Sequence, residues 1–122
     1  MPQRRIKPLD GIAAVRAVLA DPAKRLVSDP EFKVAVRYLL EELSVLRPGR
    51  SVEVRVPPLG AVQCVEGLTH RRGTPPNTVE LAPLDWFALA VGENSWEELG
   101  AQGKIRASGT RSDISDALPI WR

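Results

Sequence analysis

The stretch DPEFKVAVRYLLEELSVLRPGRSVEVRV, residues 29–56, changes its hydrophobic period halfway along and so decides the fold class. Phe32, Val36, Leu39, Leu40, Leu43 and Leu46 recur at spacings of three and four, which lays one apolar stripe along a helix. Arg37, Glu41 and Glu42 fall outside that stripe. Asp29 suits an N-cap and Pro30 a first helical position. Pro48 and Gly49 stop the helix. Immediately afterwards Val52, Val54 and Val56 alternate with Glu53 and Arg55, the period of a half-buried strand.

Downstream, Pro58-Leu59-Gly60 turns the chain. Residues 61–66 then read as a second strand, with Val62 and Cys64 on one face and Gln63 and Val65 on the other. Residues 67–77 are a polar loop carrying His70, Arg71 and Arg72, and residues 78–81 a short third strand. Three strands in succession predict an antiparallel meander. Helical spacing returns after Pro83, with Leu84, Phe87 and Val91 on one face and Gly92 as the C-terminal stop. Ser95 and Glu98 form a capping box for a short helix that ends within residues 100–103. Residues 104–108 read as a fourth strand, with Ile105 and Ala107 inward. A last short helix is capped by Ser112 or Asp113, packs Ile114 and Leu118 inward and ends at Pro119.

Upstream, residues 1–8 read as a flexible arm. A helix begins near Asp10, with Ile12, Val15, Leu19 and Ala20 on one face, and ends at Asp21-Pro22. Helices, three strands, helices, a strand and a helix make an α+β chain rather than a doubly wound one. At 122 residues the whole of 1–122 is one domain.

Composition bounds the chemistry. Hydrophobic residues make up 43% and charged residues 26%, the globular range. Seventeen basic residues, thirteen of them Arg, against fifteen acidic ones leave +2, a weak electrostatic footprint. Together with the absence of a groove-reading motif, this predicts no nucleic-acid partner. No apolar run approaches the ~20 residues of a membrane span. The basic start of the chain is followed by Pro8-Leu9-Asp10-Gly11 rather than an apolar signal core, and the expectation is a cytoplasmic protein. One cysteine and one histidine exclude disulfides, multi-thiolate zinc and histidine-rich metal sites. No metal or cofactor is expected. Cys64, within an apolar strand, reads as a small buried hydrophobe. Trp86 and Trp96 either close a core or line a cavity. Trp121 is either a clasp on the core or an anchor for a partner.

Asp85-Trp86-Phe87-Ala88-Leu89-Ala90-Val91-Gly92, Ser95-Trp96 and the run from Gly103 through Lys104-Ile105-Arg106-Ala107-Ser108-Gly109-Thr110-Arg111-Ser112 to Asp113, with the two valine-rich strands before them, resemble the bacterial branch of the sterol carrier protein family. The likeness covers residues 30–121. It implies a mostly antiparallel sheet of about five strands with helices packed on one face. It also implies a hydrophobic cavity between the two layers, and a non-enzymatic carrier of an apolar or amphipathic, lipid-like ligand. Val56, Val62, Cys64, Trp86, Leu89 and Ile105 are then the candidate walls, and Arg106 and Arg111 the candidate anion contacts at its mouth. The family also supplies accessory domains to larger enzymes, including thiol-cofactor isomerases. The alternative function is therefore a protein–protein adaptor docking onto an enzyme through Trp121 or the Arg71–Arg72 loop.

Overall fold

The computed structural model describes residues 4–67 and 75–122. Its longest helix is the one the apolar stripe predicts, Pro30–Leu46. It is α2, preceded by α1 at Pro8–Ala20. The Asp29 carboxylate accepts from the N–H groups of Glu31 and Phe32 at 2.9 and 3.0 Å, satisfying two of the donors a helix start leaves free. Leu46, expected on the stripe, is exposed because the last turn runs past the core.

Four strands follow: β1 at Val52–Val56, β2 at Gly60–Cys64, β3 at Asn77–Glu80 and β4 at Arg106–Ser108. They lie in the order β2-β1-β3-β4, with β1 antiparallel to β2 but parallel to β3. The family resemblance implied about five strands, and the described residues form four. The meander is also overturned, because β3 returns to the far edge of β1 instead of pairing with β2. Asn77 fixes that placement: its N–H and its Nδ2 both donate to the Ser51 carbonyl, at 3.2 and 2.7 Å. Two of the three pairings are antiparallel, so the fold remains α+β with a mostly antiparallel sheet.

The alternation in β1 sorts the two faces. Val52, Val54 and Val56 are fully buried against the helices, while Glu53 and Arg55 form an ion pair on the other side. Helix α3, Pro83–Ala90, completes the helical layer, and Gly92 beyond it takes the left-handed φ of 83° that favours glycine. The capping box is formed at α4, Trp96–Ala101, with Ser95 and Glu98 exchanging bonds of 3.1 and 2.9 Å. Asp113 accepts from Ser115 N–H at the final short 3-10 turn, Ser115–Ala117. Ile114 is buried there and Leu118 half-buried.

Three local expectations change. In α1 the buried residues are Gly11, Ala14, Val15 and Val18; of the expected face Val15 is among them, Ile12 and Leu19 pack half-buried against the core, and Ala20 is exposed. The helix is apolar nearly all round, so periodicity does not orient it. Gly11 does, by letting the helix close on the Tyr38 ring. In β4, all three residues, Ala107 included, are exposed, because this edge strand lies beyond the helical cover. Only Ile105, just before it, packs on the core. Of the arm expected over residues 1–8, the described part is held down. The N–H groups of Arg5 and Ile6 both donate to Glu41 Oε1 at 3.1 Å, Arg4 pairs with Glu42, and Pro8 already belongs to α1.

Candidate functional site

The eight residues expected to line a cavity do not surround one. Val56, Cys64 and Trp86 are 0% accessible; Leu89, at 1%, only edges a separate concavity beside Trp96. A side chain with no accessible surface touches no space large enough for a water molecule. These four belong to one continuous packed core with α2 behind them. Val62 and Ile105 sit at its margins, half-buried. The two arginines expected at a common mouth stand at opposite ends of β3. Arg106 pairs in register with Glu80 at its end. Arg111 lies beside Asn77 at its start, where its N–H donates to Asn77 Oδ1 at 2.9 Å and its Nη1 to the Glu66 carbonyl at 3.2 Å. Arg111 thus bridges two loops through one of its guanidinium nitrogens while the side chain stays exposed.

Open space lies instead along the outer side of β2. There α2, the β1–β2 turn, β2 and the arm held by Glu41 bound it. The result is a cleft of about 810 Å³. Its apolar walls are Ile6, Val34, Leu40, Leu59 and Val62, and Arg5, Arg37 and Glu41 are among its polar ones. Arg37 Nε donates to the Leu59 carbonyl at 2.8 Å, which ties the helix to the β1–β2 turn and leaves the Nη groups at the rim. Glu41 is occupied by the two N–H groups of the arm.

Of the predicted wall residues only Val62 lines this cleft. Ile6, Val34, Arg37 and Leu59 were not foreseen. Val34 carried a usable signal: an apolar residue two positions from Val36 stands off the buried stripe and has to face something other than the core.

A family model described as bacterial SCP ortholog matches residues 28–120. The chain belongs to that family. No curated protein matches it. For this sterol carrier protein-like chain the match takes in α2, all four strands and most of the cleft. Arg5 and Ile6, supplied by the arm, lie outside it.

The remaining candidates of the sterol carrier protein-like domain sort by burial. Burial pushes the Cys64 thiol up to about 11, the opposite of what a nucleophile needs. The core reading of Trp86 holds, and its Nε1 donates to the Val36 carbonyl. Trp96 is half-buried and lines a smaller concavity with Leu89 and Pro119. Trp121 is a clasp: Ile120 and Trp121 both donate N–H to the Ala90 carbonyl, at 2.9 and 3.0 Å, tying the end of the chain to α3. Among the described residues no group of His, Cys, Asp and Glu is placed to hold a metal. No described helix is long and apolar enough to cross a membrane. His70, Arg71 and Arg72 lie outside the described residues.

Proposed function

We propose that this protein is a non-enzymatic carrier of an apolar or amphipathic, lipid-like ligand, and that the ligand lies in the α2–β2 cleft rather than within the core. Family membership supports the ligand class. The observation that carries the location is the contrast between the fully buried Val56, Cys64 and Trp86 and the half-buried apolar Val34 and Val62 that face open space.

The magnitude follows from how much of a chain such a cleft covers. A dozen methylenes gain roughly 10 kcal/mol when fully buried, at about 0.8 each. An open cleft covers one side and keeps about half of that, which corresponds to affinity of roughly 0.1–1 mM. Arg5 and Arg37 at the rim favour an anionic head. Dodecanoate, titrated below its micelle concentration and followed by amide NMR shifts, tests the reading. Shifts should centre on Val34, Leu40 and Val62, and Val62→Glu should weaken binding by about tenfold by placing a charge against the acyl chain. Equal affinity for the variant, or shifts spread away from the cleft, would overturn it.

A further inference from the structure

The same cleft exposes something that a lipid does not use, an edge of the sheet that none of the described strands pairs. Carbonyls alternate in direction along a strand, so the bonds made by β1 show which way each residue of β2 points. Leu81 N–H donates to Arg55 O at 3.1 Å, so the odd-numbered residues within β1, Arg55 and Glu53, serve β3; Ser51, just before the strand, divides its groups, its O accepting from Asn77 N–H at 3.2 Å and its N–H donating to Val65 O at 3.0 Å. Leu59 N–H donates to Val56 O at 2.8 Å, so the even-numbered ones serve β2. Their register partners Cys64, Val62 and Gly60 turn their main-chain groups inward. Ala61 and Gln63 therefore turn theirs outward, into the cleft that both residues line. At Val65 the edge closes, because its N–H is taken by the Arg47 carbonyl at 2.7 Å.

We infer that an extended, acidic segment of another protein adds to β2 as a new edge strand, bonded to Ala61 and Gln63. Main-chain pairing at a free edge supplies affinity, and the flanking side chains supply selectivity. The half-buried apolar surface of Val34 and Ile6, beside the edge, is positioned to receive alternate side chains of the added strand. The charge around the edge selects an acidic partner. Arg5 and Arg37 line the cleft. The carboxylate among the lining residues, Glu41, is committed to the arm. A second copy of this chain would bring the same arginines face to face, which disfavours self-pairing through this edge. The inference does not rest on the lipid reading.

The test uses the whole protein and an acetylated, amidated peptide of seven residues alternating Glu and Val. Amide hydrogen exchange by NMR reads it. In the free protein Ala61 and Gln63 should exchange faster than Val62 and Cys64. Saturating peptide should slow both by tenfold or more. Ala61→Pro, which removes an outward N–H that serves none of the described strands, should weaken binding at least tenfold. Should that variant fail to fold, the peptide N-methylated at alternate residues must show the same loss on the unaltered protein. Absence of protection at Ala61 and Gln63, or equal affinity for the N-methylated peptide, would overturn edge pairing. Equal binding of a Lys–Val peptide would overturn the acidic assignment. Dodecanoate should protect neither amide, so a failure of the lipid reading and a failure of this one are read separately.

Discussion

The indole Nε1 of Trp86 donates to the main-chain carbonyl of Val36 at 3.3 Å, both residues having no accessible surface. One bond thereby links α3 to the middle of α2 and satisfies a polar atom that would otherwise be orphaned in the core. Trp86→Phe keeps the ring but loses the bond and some volume, and should cost about 1–3 kcal/mol. Trp86→Ala should cost ~3–5 kcal/mol. Urea unfolding of the three proteins measures the series. A cost for Trp86→Ala well under 1 kcal/mol would mean that the ring sits in a loose cavity after all.

Trp86 also shows where sequence reading stops. The stripe of α2, the Asp29 cap, the alternation of β1 and the Ser95–Glu98 box were legible because each is fixed by neighbours in sequence. Whether an apolar residue walls a void or fills a core depends on what arrives from elsewhere in the chain, and composition is the same in both cases. The parallel pairing of β1 with β3 was hidden for the same reason. It hangs on Asn77 reaching Ser51 across 26 residues. The cleft was half-legible: Val62 follows from the alternation of its strand, whereas the place of Ile6 depends on Glu41, 35 residues away.

Cys64 should be silent toward thiol reagents in the folded protein and react at once in urea. Its pH dependence has a definite sign. The unfolded thiol ionises near its ordinary 9.0, whereas the folded one keeps its proton to about 11. The contribution to stability is complete below pH 9.0 and is lost as pH rises towards about 11. Cys64→Ala should flatten that alkaline decline, as urea midpoints across the range would show. An unchanged decline would assign it to another group.

Arg25 clamps the loop before α2 onto α3. Its guanidinium makes two bonds to Glu93, at 2.6 and 2.8 Å, and lies 4.8 Å from the centre of the Phe87 ring. The hydrogen bond from Arg25 holds the Glu93 carboxyl below its ordinary 4.5. This contribution is present above pH 4.5 and is lost as pH falls below it through the folded value. Glu93 is partly exposed to solvent, so Glu93→Gln should cost only about 0.2–1 kcal/mol at neutral pH. Arg25→Ala also strips the ring of its cover and should cost more, roughly 1–2 kcal/mol. Acid unfolding of Glu93→Gln should begin at lower stability yet fall less steeply. A larger cost for Glu93→Gln than for Arg25→Ala would show that the ion pair, not the stacking, holds the loop.

Gly11 and Tyr38 set how closely α1 can lie on α2. A Cβ on Gly11 would stand 2.2 Å from the Tyr38 ring, far inside contact distance. The ring is itself fixed: it is buried, and the Arg4 guanidinium lies over it at 5.9 Å. In an open helix Gly→Ala would favour the helix by about 1 kcal/mol. At this position the clash should reverse the sign, with a net cost of ~1–3 kcal/mol as for other overpacked sites. The double change Gly11→Ala with Tyr38→Leu removes the ring from the path and should recover part of the loss. Because the arm enters α1 just before Gly11, a displaced helix should also loosen the bonds of Arg5 and Ile6 to Glu41. Amide exchange at Arg5 and Ile6 should therefore rise in Gly11→Ala and fall again in the double variant. If stability drops while exchange at those two amides stays unchanged, the arm is held by Glu41 independently of how α1 packs.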